Sequence, residues 1–148
     1  MKILMICLGN ICRSPLAEGI LRDKINRNNL EWEVDSAGTS GWHNGELPDS
    51  RSINVALENG IDITGQRSRK IRSIDIDNFD LLLVMDEKNK QDVLKYCQNE
   101  IERKKVIKIM SFTGQQSDVP DPYFGEFGFE NVFNMLDEAC EYIIKNYM

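Results

Sequence analysis

Short apolar segments alternate along the chain with longer amphipathic ones, a pattern that predicts alternating strands and helices. Strands are predicted where the apolar residues are mostly continuous, as in the run Leu-Leu-Leu-Val-Met that ends at Met85. The predicted strands are 2–7, 31–36, 81–85 and 105–110. Helices are predicted between and after the strands, at 14–27, 49–58, 87–96 and 129–147. In the last of them, apolar residues recur three and four positions apart and form one face.

This order of elements predicts an α/β fold. Continuous apolar strands that alternate with helices are typical of a parallel sheet covered by helices on both faces, in three layers. Ligands of such sheets bind beyond the carboxyl ends of the strands. The loops that begin at Cys7 and Asp86, and the long polar loop 114–126, should therefore share one rim. At 148 residues the chain is expected to form one domain, 1–148.

Charge and length narrow the possible partners. The net charge is −6, so nucleic acid is not the expected partner. No apolar stretch approaches the length of a membrane span, and the N-terminal run is too short for a secretory signal, so a cytoplasmic location is expected. The basic cluster 67–72 is interpreted as a solvated turn and helix start, and the alternative is a local positive rim that attracts a phosphorylated partner.

The spacing of cysteines gives no sign of a metal site. The four cysteines are Cys7, Cys12, Cys97 and Cys140, and no two of them have C-x-x-C spacing. The chain has a single histidine, which also argues against a zinc site. In a reducing compartment these thiols need not pair. Neither a metal nor a cofactor is expected.

The segment from Cys7 to Ser14 joins the first predicted strand to the first predicted helix. Five residues between Cys7 and Arg13 suffice to wrap the backbone around a tetrahedral anion, with N–H groups pointing inward. Ser14-Pro15 predicts a helix start, which adds free N–H groups and a positive dipole end. The cradle requires residues that accept left-handed angles, Gly9 and Asn10. The predicted phosphate-binding residues are Leu8, Gly9, Asn10, Ile11, Cys12 and Arg13.

Three side chains of this loop suit chemistry on a phosphate ester. Cys7 lies at the floor of the cradle, where inward amides and the helix dipole would stabilise a thiolate nucleophile without a histidine partner. Arg13 offers a planar fork that holds two phosphate oxygens. The Ser14 hydroxyl can hydrogen-bond Cys7 and help the thiolate leave.

A proton donor for the leaving oxygen is predicted on the late loop. Asp121 precedes Pro122, which restricts its backbone, and two aromatic residues follow, Tyr123 and Phe124. A carboxyl group near a phosphate dianion would begin protonated and later activate water. Trp42 is a second candidate wall for an aryl group, whereas His43 is interpreted as a surface residue.

Together these residues resemble the low-molecular-weight protein tyrosine phosphatases over essentially the whole chain. The resemblance rests on Cys-Leu-Gly-Asn-Ile-Cys-Arg-Ser-Pro at residues 7–15, Asp-Ser-Ala-Gly-Thr-Ser at 35–40, Trp-His at 42–43, Pro-Asp-Ser-Arg at 48–51, Met-Asp at 85–86 and Asp-Pro-Tyr at 121–123. It implies a four-stranded parallel sheet and a single phosphatase domain, a monomer or weak dimer. It also implies tyrosine-phosphorylated proteins or peptides as substrates and inorganic phosphate as product.

The resemblance also implies a role for each matched position. Cys7 would be the nucleophile, Arg13 the phosphate clamp and Asp121 the general acid. The loop would be braced by Asn10, Ser14 and Ser36, and the substrate pocket would be lined by Ile11, Trp42, Tyr123 and Phe124. Cys12 would form a reversible disulfide with Cys7 and protect it from over-oxidation. Where many relatives have a bracing histidine, this chain has Gln66, which can hydrogen-bond but cannot become cationic.

Three alternative functions remain open. Arsenate reduction uses a similar loop but needs further redox cysteines close together, and Cys97 and Cys140 are far apart in sequence. Relatives that hydrolyse phosphoarginine carry a threonine where Ile11 stands, and a bulky apolar side chain better suits an aryl ring. A phosphate-binding module without turnover is disfavoured by the presence of Cys7, Arg13 and Asp121 together.

Overall fold

The part of the chain that the structure describes, residues 1–124 and 128–148 of a computed structural model, contains four strands separated by one or two of its six α-helices. The strands are β1 (Lys2–Cys7), β2 (Glu33–Gly38), β3 (Leu81–Val84) and β4 (Val106–Lys108). The helices are α1 (Arg13–Arg27), α2 (Ser50–Glu58), α3 (Ser73–Asn78), α4 (Glu87–Leu94), α5 (Glu100–Arg103) and α6 (Gly128–Tyr147). Two short 3₁₀ helices span Ile109–Thr113 and Pro122–Phe124.

The strands form one parallel sheet in the order β2–β1–β3–β4. The chain moves outward from β1 to β2 on one side and returns to β3 on the other side, so the strand order reverses at β1. A parallel α/β sheet has its ligand crevice at such a reversal, outside the carboxyl ends of the strands. Cys7 is the last residue of β1 and therefore lies at this crevice.

Each face of the sheet packs against its own set of helices. Because side chains alternate along a strand, Ile3 and Met5 face the core formed with α1, α2 and α6, while Leu4 and Ile6 face the core formed with α3 and α4. Burial on both faces explains the continuous apolar runs. The predicted four-stranded parallel sheet with helices on both faces is confirmed.

Several boundaries differ from the prediction for local physical reasons. β2 runs to Gly38, two residues beyond the predicted end, because its pairing with β1 continues through Cys7. β4 ends at Lys108, because the chain then tightens into a 3₁₀ helix that stops at Gly114 with φ 84°. α3 and α5 have six and four residues, too few to produce a helical pattern in sequence. No helix in the described ranges is both long and apolar enough to cross a membrane.

Two aspartates fix helix starts beside the crevice. The Asp49 carboxylate accepts a hydrogen bond from the Arg51 N–H at 2.8 Å and caps α2. The Asp86 carboxylate accepts one from the Asn89 N–H at 2.7 Å and caps α4 directly after β3. Such caps satisfy N–H groups that lack a partner within the helix, and here they also hold both aspartates close to the loop after β1.

Candidate active site

The loop between β1 and α1 curls back on the sulfur of Cys7. Asn10 adopts a left-handed conformation, with φ 57°, and its backbone N–H points to Cys7 Sγ at 3.3 Å. Gly9 was expected to share this conformation, but its φ is not positive. Space at Gly9 is nevertheless tight, since a Cβ there would lie 3.1 Å from His43 Cδ2 and the His43 side chain would have to shift by a few tenths of an ångström.

The side chain of Asn10 holds the loop from below. Its Oδ1 accepts the backbone N–H of Arg69 at 3.0 Å, and because that N–H can only donate, the orientation of the amide is fixed. Its Nδ2 then donates to Ser14 Oγ at 2.8 Å and to Ser36 Oγ at 2.9 Å. The predicted bracing residues Asn10, Ser14 and Ser36 therefore lie together in one hydrogen-bond network.

This network directs a proton toward Cys7. Ser14 Oγ lies 3.0 Å from Cys7 Sγ and already accepts a hydrogen bond from Asn10, so its own hydroxyl proton is available to the sulfur. The sulfur accepts the Asn10 N–H and can accept the Ser14 O–H as well. Donors aimed at a group favour its negatively charged form, and this arrangement suits a thiolate.

The other end of the network reaches Glu18, which is absent from the site predicted from sequence. Ser36 Oγ donates to Glu18 Oε1 at 2.7 Å, and Glu18 Oε2 pairs with Arg22 at 2.9 Å. Burial raises the pKa of Glu18, while the hydrogen bonds from Ser36 and Arg22 act in the opposite direction. The available signal was its position on α1, one helical turn after Ser14.

Arg13 is buried, only 3% exposed, and connects three parts of the crevice. Its Nη1 donates to Asp86 Oδ2 at 2.7 Å and to the Val119 carbonyl at 3.0 Å, and its Nη2 lies 3.7 Å from Asp121 Oδ2. Burial lowers the pKa of Arg13, but the negative groups Cys7, Asp86 and Asp121 outweigh it and raise that pKa overall. The guanidinium therefore stays charged.

The late loop brings Asp121 to the same place. Val119 N–H donates to the Met85 carbonyl at 2.8 Å, which fastens the loop to the end of β3. The Asp121 carboxylate accepts the N–H of Tyr123 at 3.0 Å. One carboxylate oxygen is thereby held locally, while the other faces Arg13.

Arg51 stabilises the far side of this loop and is absent from the predicted site. Its Nη1 donates to the Tyr123 carbonyl at 3.1 Å, and its guanidinium lies 5.3 Å from the Tyr123 ring centre and 4.6 Å from that of Phe129. Such distances are typical of cation–π contacts. Asp49 holds Arg51 from the other side, and this hydrogen bond lowers the pKa of Asp49.

A cavity of about 200 Å³ opens above Cys7. The predicted pocket residues Trp42, which is 77% exposed, and Tyr123 line it, and the partly exposed His43, interpreted as a surface residue, lies beside them. The side chain of Phe124 lies outside the described residues. The lining residues are Cys7, Leu8, Gly9, Ile11, Cys12, Arg13, Trp42, His43, Asp121 and Tyr123.

The basic cluster 67–72 braces the loop, and the prediction of a solvated turn is wrong for its central residues. Ser68 Oγ donates to the Gly9 carbonyl at 3.0 Å. The Arg69 side chain, which is partly buried, pairs with Asp75 at 2.9 Å and Asp35 at 3.1 Å, which positions its backbone N–H under Asn10. The reason is tertiary, because both acids come from other elements.

Gly38 and Gln66 also adjoin the loop. A Cβ on Gly38 would lie 2.8 Å from the Leu8 carbonyl oxygen, so only glycine allows β2 to pass this close. Gln66 Nε2 donates to the Pro15 carbonyl at 3.0 Å, in the first turn of α1 rather than in the loop itself. Its Oε1 is buried and has no hydrogen-bond partner among the described residues.

All four cysteines are free thiols, and two of them lie at the cavity. Burial, with smaller contributions from Asp49 and Cys7, raises the pKa of Cys12 to about 12. Burial also raises the pKa values of Cys97 and Cys140, which do not line the cavity. Within the described ranges no group of three or more His, Cys, Asp or Glu side chains is arranged to hold a metal ion.

Comparison with known proteins agrees with this geometry. The family model described as low molecular weight phosphotyrosine protein phosphatase matches residues 2–147. A putative low molecular weight protein-tyrosine-phosphatase of Synechocystis is 41% identical over 145 residues, covering 95% of this chain and 92% of that protein. The chain therefore belongs to the low molecular weight phosphotyrosine protein phosphatase family, whose members are hydrolases, and the family predicted from sequence is confirmed.

Solved structures extend the comparison. A protein tyrosine phosphatase of Entamoeba histolytica, crystallised with Hepes in the active site, superposes with a TM-score of 0.93 at 39% identity, covering 99% of this chain and 96% of that one. An arginine phosphatase of Drosophila superposes equally well, with a TM-score of 0.93 at 31% identity, covering 99% and 98%. Backbone similarity therefore does not distinguish the two substrates.

The two cavity thiols should react differently with iodoacetate. Because the raised pKa of Cys12 keeps that thiol protonated well above neutrality, its modification should be slow throughout pH 6–9. Cys7, whose sulfur faces two hydrogen-bond donors, should be modified first. Both residues fall in the tryptic peptide 3–13, so fragment-ion mass spectrometry against time locates the label. The Cys7→Ser variant is the control, and modification of Cys12 at a rate equal to that of Cys7 would contradict the expectation.

Proposed function

We propose that this chain is a protein tyrosine phosphatase that hydrolyses aryl phosphate monoesters through a phosphocysteine at Cys7. The observation that carries the proposal is the convergence of Cys7, Arg13 and Asp121 on one cavity of about 200 Å³. The sulfur of Cys7 faces two hydrogen-bond donors, and a charged guanidinium lies beside the acid. A nucleophile, an anion clamp and a proton donor are thus combined at one cavity.

In the first step the phosphate dianion occupies the loop, with its oxygens against backbone N–H groups of residues 8–13 and the fork of Arg13. The Cys7 thiolate attacks phosphorus, and the bond from phosphorus to the phenolic oxygen breaks. Asp121 acts as the general acid and gives a proton to that oxygen, so the leaving group departs as a neutral phenol.

In the second step the phosphocysteine intermediate is hydrolysed. Asp121, now a carboxylate, removes a proton from water, and the water oxygen attacks phosphorus. The bond from sulfur to phosphorus breaks and the electron pair returns to Cys7. The Ser14 hydroxyl, 3.0 Å from the sulfur, stabilises the departing thiolate. Inorganic phosphate is released, and the protonated Asp121 is ready for another cycle.

Arg13 would change partners during this cycle. Without substrate it is shared between Asp86 and Asp121. The shorter bond to Asp86 fixes one nitrogen, whereas the contact to Asp121 is long and leaves the second nitrogen available to a phosphate oxygen. Asp86 would therefore orient the guanidinium, and its place as the cap of α4 holds it in position.

The walls of the cavity favour an aryl substrate. The rings of Trp42 and Tyr123 can enclose a phenyl group, and Ile11 adds an apolar surface where a polar threonine would suit phosphoarginine. Protein arginine phosphatase activity is the second candidate, because the Drosophila arginine phosphatase superposes over 99% of this chain. Arsenate reduction is less favoured, since Cys97 and Cys140 do not line the cavity.

The proposal includes a redox role for Cys12. A peroxide would convert the Cys7 thiolate to a sulfenic acid, and attack by the Cys12 sulfur would release water and leave a disulfide. Cys7 and Cys12 both line the same cavity. The single phosphatase domain 1–148, the cytoplasmic location and the monomeric or weakly dimeric state stay predictions from sequence.

The preference for tyrosine can be measured directly. Matched peptides carrying phosphotyrosine or phosphoarginine in the same sequence should give kcat/KM values that favour phosphotyrosine by at least about tenfold, a difference that an apolar wall and two rings can supply. Ile11→Thr, which changes the wall and leaves Cys7 and Arg13 intact, should reduce the ratio. A wild-type ratio that favours phosphoarginine would replace the proposed function by the second candidate.

The acid role of Asp121 predicts a dependence on the leaving group. Asp121→Asn should lower kcat/KM by about 10²-fold or more for phenyl phosphate, whose leaving group needs a proton. The loss should be much smaller for an activated dinitrophenyl ester. Asp118→Asn is the matched control, since Asp118 lies on the same loop, pairs with Lys108 and does not line the cavity. Equal losses for both esters would exclude Asp121 as the acid.

A further inference from the structure

A second groove opens beside the candidate active site. It has a volume of about 440 Å³, and its lining includes Leu8, Trp42, Lys88, Asp92, Lys95 and Tyr96. Leu8 and Trp42 also line the cavity above Cys7. The cavity and the groove are therefore neighbours, and Leu8 and the exposed Trp42 form the wall between them. This groove, called here the lysine groove, has no role in the proposed chemistry.

The charge of the lysine groove is locally positive. Lys88 and Lys95 both lie near a single carboxylate, that of Asp92, at 4.0 Å and 3.6 Å. Two cations share one anion, so one positive charge remains in excess although the whole chain carries −6. Both lysine side chains are 78% exposed. Exposed ion pairs at such distances contribute little, so either ammonium group can turn to another carboxylate.

A bound peptide can extend along this wall, because Trp42 lines both the cavity above Cys7 and the lysine groove. When the phosphate lies on Cys7, the tyrosine ring fills the cavity and the peptide backbone stays at its mouth, beside Trp42. Extended residues advance by about 3.3–3.6 Å each, and side chains alternate in direction. Residues one to three positions from the phosphotyrosine are therefore within reach of the lysine groove on the other side of the indole ring.

We propose that the lysine groove is a substrate subsite that binds a glutamate or aspartate one to three residues from the phosphotyrosine. Lys88 and Lys95 hold its carboxylate, and the adjacent peptide backbone packs against Trp42. The inference rests on the proposed function and specifies it further, since the preferred substrates are tyrosine-phosphorylated segments with acidic neighbours. Asp92 limits the preference, because it competes for the same two ammonium groups.

Pairs of phosphotyrosine peptides test the subsite. The two members of a pair differ only by Glu or Gln at one position, and the pairs cover positions −3 to +3. The readout is the ratio of kcat/KM for the Glu peptide to that for the Gln peptide. At least one position should give a ratio of about three to ten at low ionic strength, decreasing as salt screens the charges.

Enzyme variants assign this preference to the groove. Lys88→Gln combined with Lys95→Gln should bring the ratio to about one, whereas Asp92→Asn should raise it above wild type because the competing carboxylate is gone. Lys90→Gln is the control for overall charge and is matched to Lys88→Gln alone: each removes one positive charge from α4, but Lys90 lies outside the groove lining, so its variant should keep the wild-type ratio.

The outcomes separate the two levels of the proposal. Turnover of both peptides with equal rates at every position, or a preference that survives the double substitution, would overturn the subsite alone. A preference lost equally in Lys90→Gln would also overturn it, because overall charge would then be the cause. Failure to hydrolyse either member of any pair would overturn the proposed function, and the subsite with it.

Discussion

The hydrogen bonds of the Asn10 side chain are the constraint on which the site depends. One amide group meets a backbone N–H from the segment before α3, a hydroxyl on α1 and a hydroxyl on β2. It thereby joins three elements beneath a loop whose own conformation requires a left-handed residue at the same position. A buried amide with its donors and acceptor satisfied fixes geometry strongly, because an unpaired partner would be costly. The same hydrogen bond from Asn10 holds the Ser14 hydroxyl within 3.0 Å of Cys7 Sγ.

The sheet brings the other participants to this loop. Since β1 and β3 are parallel neighbours, Cys7 and Asp86 follow strand ends on the same edge. The Asp86 carboxylate caps α4 and also accepts a hydrogen bond from Arg13, so one side chain fixes both the start of the helix and the guanidinium. The bond from Val119 to Met85 then brings Asp121 from the far end of the chain. The proposed nucleophile, clamp and acid therefore meet through backbone topology rather than sequence proximity.

The sequence was sufficient to predict the part of the site whose residues are close together along the chain. The cysteine, arginine and serine of the loop lie within eight residues, and the strand before them and the proline after them define their context. Three other features could not be predicted in this way: the bracing of the loop by Ser68 and Arg69, the carboxylate of Glu18, and the contacts of Arg51 with the late loop. Each depends on a partner from another element, such as Gly9 for Ser68, and an exposed-looking basic run gives no sign of which arginine is turned inward.

The central claim, that Cys7 carries the phosphoryl group, is tested most directly by trapping the intermediate. In Asp121→Asn, an activated aryl phosphate can still be attacked, because its leaving group needs no proton, but the water that completes the cycle lacks its base. After a rapid denaturing quench, mass spectrometry of the peptide 3–13 should find a phosphoryl group on Cys7. An unmodified peptide during steady turnover, together with undiminished turnover in Cys7→Ser, would contradict the account.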